Sequence, residues 1–313
     1  MKPELLFDAK VYLGEGPIWD ARSQTLYWVD IFAKRIYAGP DLFAELEEYE
    51  FLGCIAPREK GGLILALSGD ASHAVDARFS FASLEPSPAL APGASVGHAQ
   101  GKPGSANLTL LSSLTDESAG NRFNDGKCDP RGRFLAGTMD KGETEPTGSL
   151  YSFDGRSVTK ILSGVTVSNG MTWSPDSKTF YYIDTPTREV RAFDYDLESG
   201  AIANPRVAVY ISEALGWPDG MTSDMQGHLW IAMWGGAKVT QWNPNTGELL
   251  EQIAVPAMNV SSCVFGGRNM NELYLTSARK GLDEAVLKQY PLTGGVFRLE
   301  TKVEGMPTFA FAG

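Results

Sequence analysis

Six copies of one short pattern run along the chain, and this repetition constrains the fold more than any other feature. Each copy begins with a small or polar residue, here called its anchor, passes through a turn and ends in an apolar, aromatic strand. The anchors are Glu15, Gly53, Asn124, Asn169, Asp219 and Ser262. The copies that begin at Gly53 and Ser262 are fainter than the other four. Each copy therefore predicts a β-hairpin.

Turn-forming residues support this interpretation. An Asp or a Ser stands five places after the anchor in four of the copies, at Asp20, Asp129, Ser174 and Asp224. Most anchors follow one another at about 40 to 50 residues, which is the length of a propeller blade.

Helical patterns are weak, and residues 283–289 form the one short amphipathic candidate. The sequence therefore predicts an all-β chain in which residues 1–313 form a single six-bladed β-propeller. Residues 4–12 should add a strand to the last blade, because joining the two ends of the chain leaves the ring without an open edge.

A longer interval separates the anchors Gly53 and Asn124. Its central part, Glu85–Asn107, is rich in Pro, Gly, Ala and Ser, and it predicts a loop inserted into the propeller. The insertion contains Gly93–Gly97, which matches the nucleophile-elbow pattern around Ser95. Because no strand precedes this pattern and no helix follows it, Ser95 is not expected to be catalytic.

Composition and charge exclude several classes of function. The formal net charge is -11, and no cluster of Lys and Arg offsets it, so binding to nucleic acid is not expected. We found no apolar stretch typical of a membrane span or a signal peptide, which makes a cytoplasmic protein without a membrane partner the expectation. The three cysteines, Cys54, Cys128 and Cys263, are predicted to be buried apolar residues, and none has the spacing of a zinc site.

The anchors suggest a cation site. Residues at one register of the repeat converge around the axis of a propeller, because the innermost strand of each blade lines the central channel. Glu15, Asn124, Asn169 and Asp219 bring side-chain oxygens to that level, and carboxylate and amide oxygens suit a hard divalent cation. The alternative is that Asn or Asp before Gly only forms turns. A Glu is not a turn former, so Glu15 and the shared register favour the cation site.

Four long blocks carry a family resemblance. They are LGEGPIWD (13–20), NRFNDGKCDPRGRFLAGTMD (121–140), SNGMTWSPDSKTFYYIDT (168–185) and PDGMTSDMQGHLWIAMWGG (218–236). The chain resembles the regucalcin/gluconolactonase superfamily, which includes senescence marker protein and luciferin-regenerating enzyme. The resemblance extends from about residue 10 to the end of the chain, apart from the insertion. The segment 276–300 looks most like the bacterial sugar-acid lactonases of that superfamily, such as xylonolactonases and arabinonolactonases.

The resemblance implies a six-bladed propeller with one divalent metal ion held by Glu15, Asn169 and Asp219. It also implies that Asp219 acts as the general base.

The substrate residues also follow from the resemblance, which implies that Arg122 and Asn124 bind substrate hydroxyls. A family acidic residue shortly after the GTM segment contacts the sugar as well. Asp140, Glu143 and Glu145 all lie near this position, and the role is assigned here to Glu143.

The expected function is metal-dependent hydrolysis of a sugar lactone, a carboxylic ester hydrolase reaction of carbohydrate metabolism. Two alternatives stay open: a propeller arylesterase or phosphotriesterase, and a non-catalytic calcium-binding protein. The residues leave open which sugar is the substrate and which oligomeric state the chain adopts. They also leave open whether the metal is Ca²⁺, Mn²⁺, Fe²⁺, Zn²⁺ or Mg²⁺.

Overall fold

Antiparallel strands rich in aromatic and β-branched residues account for most of the structure. The computed structural model describes residues 2–70, 79–85 and 107–313, and this part of the chain forms six four-stranded antiparallel sheets. Each sheet is one blade, and its innermost strand lies next to a common axis.

The strands follow the chain in blade order. The N-terminal strand is β1 (Glu4–Phe7). Blade 1 contains β2 (Gly14–Asp20), β3 (Thr25–Asp30), β4 (Arg35–Ala38) and β5 (Asp41–Glu45). Blade 2 contains β6 (Tyr49–Pro57), β7 (Leu63–Asp70), β8 (Phe79–Glu85) and β9 (Asn107–Ser113). Blade 3 contains β10 (Asn121–Cys128), β11 (Phe134–Asp140), β12 (Gly148–Phe153) and β13 (Val158–Val165).

The second half of the chain repeats this order. Blade 4 contains β14 (Ser168–Trp173), β15 (Thr179–Asp184), β16 (Glu189–Tyr195) and β17 (Ile202–Tyr210). Blade 5 contains β18 (Trp217–Ser223), β19 (Leu229–Trp234), β20 (Lys238–Asn243) and β21 (Glu248–Ala254). Blade 6 contains β22 (Asn259–Gly266), β23 (Glu272–Ala278) and β24 (Val296–Glu300), and it is completed by β1.

The blades close into a ring. The innermost strands are β2, β6, β10, β14, β18 and β22, and each packs against the innermost strand of the next blade, with β22 returning to β2. Apolar side chains from the facing sheets fill the space between blades; Phe81, Phe123 and Phe134, for example, pack together between blades 2 and 3. The predicted six-bladed propeller is confirmed.

The two ends of the chain join in one blade, as expected from the sequence. Strand β1 pairs with β24 in antiparallel register, with Glu4 opposite Arg298 and Leu5 opposite Phe297. Blade 6 thus has its outermost strand from the start of the chain and its other three from the end. This pairing closes the ring through backbone hydrogen bonds.

The predicted turns and the single helix are also found. The side chain of Asp129 accepts hydrogen bonds from the backbone of Arg131 and Arg133, at 2.8 and 2.9 Å, and so fixes the turn between β10 and β11. The helix α1 (Glu284–Gln289) is capped by Asp283, which accepts a bond from the backbone of Val286. Among the described residues, no helix is long and apolar enough to cross a membrane.

The glycines that follow two anchors are needed for close packing. A Cβ atom on Gly170 would lie 2.6 Å from the Met221 Cβ atom, and one on Gly220 would lie 2.0 Å from the Ser262 Oγ atom. Both glycines lie inside innermost strands where the pairing register shifts. The alternative that Asn169-Gly170 and Asp219-Gly220 form turns is therefore wrong, because neither pair connects two strands.

The segment 305–313 crosses the end of the channel at which the innermost strands finish. The backbone of Met306 donates to Ser223 at the end of β18, and Phe311 donates to Pro57 at the end of β6. The aromatic ring of Phe311 is fully buried against blades 2 and 3. The residues that begin the innermost strands, including three of the anchors, lie toward the opposite end.

The predicted insertion can be located only by its ends. Glu85 closes β8, Asn107 opens β9, and the two residues are antiparallel partners in blade 2. Residues 86–106 lie outside the described part of the chain, and so do Ser95 and the histidines His73 and His98.

This pairing generates a prediction about the insertion. Replacing residues 86–106 with a short Asn-Gly turn should leave the propeller folded, because Glu85 and Asn107 already stand opposite each other and loop-closure entropy changes slowly with length. Circular dichroism and thermal melting of the shortened chain provide the measurement. A loss of the cooperative melting transition would show that the segment is structural.

Candidate metal and substrate site

One cavity lies at the open end of the channel, where the innermost strands begin. Its volume is about 300 Å³. All six residues assigned to the site from the sequence line it: Glu15, Arg122, Asn124, Glu143, Asn169 and Asp219. The anchors of the two faint repeats, Gly53 and Ser262, are not part of this wall.

Asn169 is held in one orientation by its neighbours. Its Nδ2 atom donates to the Thr185 hydroxyl at 3.0 Å, and that hydroxyl donates to the Pro218 carbonyl oxygen at 2.8 Å. The amide oxygen Oδ1 is buried and has no hydrogen-bond partner among the described residues. A buried carbonyl oxygen normally has a partner, so this atom is suited to a ligand that is held in the cavity.

Glu15 and Asp219 bring two carboxylates into the same buried space. Burial, together with the negative charge of Asp125, raises the pKa of Glu15 to about 8. Burial also raises the pKa of Asp219 well above its ordinary value, with Glu15 and then Asp125 adding to the effect. The amide of Asn169, which lines the same cavity, opposes this shift.

This donor set fits one hard divalent cation. Within the described residues, no three His, Cys, Asp or Glu side chains converge. The amide oxygen of Asn169 lines the same cavity as the two carboxylates and offers a third oxygen. Two carboxylates and an amide carbonyl are oxygen ligands of the kind that such cations prefer. The unpaired Oδ1 atom and the mutual repulsion of the carboxylates are both relieved by a positive charge.

Arg122 lies within this acidic cavity and is almost completely buried. Burial lowers the pKa of its guanidinium to about 10, while the nearby Glu143, Glu15 and Asp219 act in the opposite direction. The Nη1 atom donates to the Phe123 carbonyl at 3.0 Å and to the Asn124 Oδ1 atom at 2.7 Å. Its Nε and Nη2 atoms have no acceptor among the described residues, and these donors are available to a ligand.

Asn124 has a partner at each end of its amide. Its Nδ2 atom donates to the Ser168 carbonyl at 2.8 Å, and its Oδ1 atom accepts from Arg122. The first bond joins blade 3 to blade 4 beside Asn169. Asn124 therefore orients the guanidinium, in addition to lining the cavity itself.

Glu143 contributes to the rim of the cavity, whereas the two other acidic candidates do not. Its carboxylate forms an ion pair with the Lys280 ammonium, which links a loop of blade 3 to a loop of blade 6. The Asp140 carboxylate instead accepts backbone hydrogen bonds from Thr144 and Glu145, which lower its pKa. The side chain of Glu145 is exposed.

Several lining residues were not identified from the sequence. They are Leu13, Met139, Val167, Thr185, Pro186, Trp217, Trp234 and Lys280. Some of these residues lie inside or next to the four blocks that carry the family resemblance, but none of them occupies the anchor position of a repeat. A Trp directly before the Pro-Asp-Gly anchor was the available signal for Trp217.

Two further residues of opposite charge, Lys127 and Asp125, lie farther along the axis. The Lys127 Nζ atom donates to the Met221 carbonyl at 2.8 Å, which connects blades 3 and 5. Burial lowers the pKa of Lys127 and raises that of Asp125, and each of the two charges partly offsets the shift of the other.

Comparison with known proteins gives the family. The model of the SMP-30/Gluconolactonase/LRE-like region matches residues 13–279. The chain belongs to this family. Regucalcin of Bos taurus is 35% identical over 324 residues, which cover 100% of this chain and 99% of that relative.

Solved structures of similar proteins share the fold. A calcium-binding protein, regucalcin, from Agrobacterium tumefaciens has a TM-score of 0.82 and 25% identity, and the match covers 98% of this chain and 96% of that one. A luciferin-regenerating enzyme has a TM-score of 0.80 and 27% identity, with 97% of each chain covered.

The buried carboxylates generate a prediction about pH. The folded-state pKa of Glu15 is raised from 4.5 to about 8, so its contribution to the stability of the metal-free protein is present below the lower value and is lost as the pH rises through the higher one. A cation needs the ionised carboxylates, and its affinity should increase over the same range. The rise in melting temperature on adding CaCl₂ or MnCl₂ should therefore be larger near about pH 8 than near about pH 6.

Variants identify the source of this effect. Glu15→Gln and Asp219→Asn should weaken calorimetric metal binding strongly, because each removes a negative charge and a carboxylate oxygen from the cavity. Glu145→Gln is the matched control, since that side chain is exposed and outside the cavity wall. Equal metal affinity in all three variants would place the cation elsewhere.

Proposed function

We propose that this protein hydrolyses sugar lactones to the open-chain acids, using one divalent metal ion held by Glu15, Asn169 and Asp219. One observation carries the proposal: two buried carboxylates, an unpaired amide oxygen and a buried guanidinium line one cavity at the axis. Membership of a family named after gluconolactonase supports the reaction class. The Agrobacterium regucalcin, described as calcium-binding, supports Ca²⁺ as the first cation to test.

Lactone opening needs a polarised carbonyl group and an activated water. A divalent cation supplies both, as a Lewis acid and by lowering the pKa of water. Asp219 is the proposed general base, because its carboxylate lies in the cavity beside the proposed cation and can take a proton from water bound there.

Arg122 is proposed to bind the substrate and to stabilise negative charge. Its free Nε and Nη2 donors can bond the carbonyl oxygen as charge develops there, or the hydroxyl groups of the sugar. Asn124 keeps the guanidinium in place through the Nη1 bond. At the rim, the Glu143 carboxylate can accept hydrogen bonds from sugar hydroxyls while it remains paired with Lys280.

The polar floor of the cavity, which includes Arg122 and Asn124, favours a sugar lactone over the alternatives. An aryl ester or a phosphotriester offers few hydroxyl groups to Arg122, Asn124 and Glu143, whereas a polyhydroxylated ring can bond all three. A purely calcium-binding protein needs no cavity of about 300 Å³ beside the cation. We also propose a cytoplasmic location, which the three buried free cysteines support.

The decisive test compares substrate classes. Turnover of a panel of aldonolactones, aryl esters and phosphotriesters should be measured with each metal and with a chelator, against a blank without enzyme because lactones also open unaided in water. The proposal expects metal-dependent turnover of at least one aldonolactone in preference to the other two classes. Metal binding without turnover of any class would favour the non-catalytic alternative.

Two variants test the assigned roles. Asp219→Ala should lower kcat by about 10²-fold or more even in excess metal, because it removes the proton acceptor together with a ligand. Arg122→Ala should retain metal binding and fold, and should lower kcat/KM by about 10²-fold.

The kinetic pattern of Arg122→Ala separates two roles. A change mainly in KM indicates that Arg122 binds the substrate and the transition state equally, and a change mainly in kcat indicates charge stabilisation. Arg131→Ala is the control, since this exposed arginine pairs with Glu198 far from the cavity wall. Parent rates in both Asp219→Ala and Arg122→Ala would mean that the active site lies elsewhere.

A further inference from the structure

Two tryptophans form the wall of the cavity on blade 5. Trp217 opens β18, Trp234 closes β19, and the two residues are direct partners in the antiparallel register. Both line the cavity. Trp217 is 42% exposed. An aromatic side chain as large as this has no packing role at the surface, so its exposure suggests a binding role. Nothing in the proposed chemistry uses either ring.

Trp217 is held in place by Arg188, which stacks on its ring. The Arg188 guanidinium carbon lies 3.6 Å from the centre of its ring, and the Nη1 atom of that arginine donates to the Gly216 carbonyl at 2.8 Å. Arg188 is itself buried, and it is not part of the cavity wall. The guanidinium therefore covers one side of the indole while the indole remains part of the wall.

The backbone around this pair is equally fixed. Arg188 ends a 3-10 turn, Thr185–Thr187, with a left-handed φ of 58°. Gly216 has a φ of 103°, and a Cβ atom there would lie 2.6 Å from the Trp234 carbonyl oxygen. The same turn supplies Thr185, which orients Asn169. One short turn thus positions both a proposed metal ligand and the support of the aromatic wall.

We infer that Trp217 and Trp234 bind the C–H face of the substrate's sugar ring, and that Arg188 is a positioning residue for Trp217. The inference rests on the proposed function and names the substrate class more closely, as a ring-closed lactone with hydroxyls on its edge and a C–H face. Indole rings carry negative charge on their faces and attract the polarised C–H bonds of a sugar.

The spacing along the strand fits this arrangement. Trp217 and Asp219 are two residues apart on β18, which corresponds to about 6 to 7 Å along a strand and is comparable to the width of one sugar ring. A lactone whose carbonyl lies at Asp219 thus has its ring beside the tryptophan wall. The polar floor then binds the edge of the ring, and the wall binds its face.

Steady-state kinetics on an aldonolactone test the wall. Trp217→Ala should raise KM by about two- to tenfold and leave kcat and metal affinity within about twofold, whereas Trp217→Phe should lose less because it keeps an aromatic face. Tyr210→Ala is the control: this exposed aromatic lies on the outermost strand β17, away from the cavity, and should leave KM unchanged. Equal losses in Trp217→Phe and Trp217→Ala would overturn the stacking role.

Arg188 is tested through Trp217. Arg188→Ala should raise KM by a smaller factor, and it should add nothing in the Trp217→Ala background if it acts only by holding the ring. Additive effects of the two substitutions would overturn the positioning role.

Binding of unreactive sugars separates this inference from the proposed function. Calorimetry should show that the parent binds a methyl glycoside, which has a ring face, more tightly than the corresponding alditol, which has none, and that Trp217→Ala removes this preference. That result without any lactone turnover would support the sugar-binding wall and contradict the proposed function. Lactone turnover with an unchanged KM in Trp217→Ala would contradict the wall and leave the proposed function standing.

Discussion

Six innermost strands can surround one axis only if neighbouring backbones approach each other closely, and the rest of the structure depends on that packing. Gly170 lies against Met221, and Gly220 lies against Ser262, at distances that leave no room for a side chain. The strands are bulged at these places, and the bulges redirect the residues beside the glycines. The requirement for a narrow ring and the requirement for a shared site are thus met by the same Asn-Gly and Asp-Gly pairs. This explains why a pattern that commonly marks a turn occurs here inside a buried strand.

The same packing removes carboxylates from water. Glu15, Asp125 and Asp219 are all buried, and burial is the leading cause of the raised pKa of each. Arg122 on one side and Lys127 on the other offset part of this charge. The remaining negative charge can be offset by protonation or by a bound cation, and a cation can also be coordinated by the unpaired oxygen of Asn169. A cluster that only had to be stable could use apolar residues instead, since buried charges contribute little net stability. Shifted pKa values in a cavity are therefore better understood as a functional feature.

The sequence was sufficient to predict the ring of blades and the residues that lie at its axis, because both follow from one repeated register. The anchors Glu15, Asn169 and Asp219 could be placed together without a structure once six hairpins were recognised. The rim could not be found in this way. Lys280 reaches the cavity from a connection between strands, and Trp217 from the first residue of β18, outside the anchor register. Likewise, the ion pair between Glu143 and Lys280 joins residues that are far apart in the sequence and belong to no common repeat position. Family resemblance suggested Glu143, but its pairing with Lys280 depends on the ring geometry.

The two ends of the channel are therefore under different constraints. At one end, the segment 305–313 and the Lys127 side chain fill the axis, and the described residues there leave only a small cavity of about 20 Å³. The proposed substrate enters from the other end, past Trp217 and the pair of Glu143 and Lys280. The floor of the cavity comes from innermost strands, which pack against one another around the ring, whereas rim residues such as Glu143 and Lys280 lie in connections between strands of one blade. Changes at the rim can alter the substrate without disturbing the proposed metal ligands. For this reason the repeats locate the proposed metal ligands, and the choice of sugar in the proposed reaction has to be sought in the wall that Trp217 and Trp234 form.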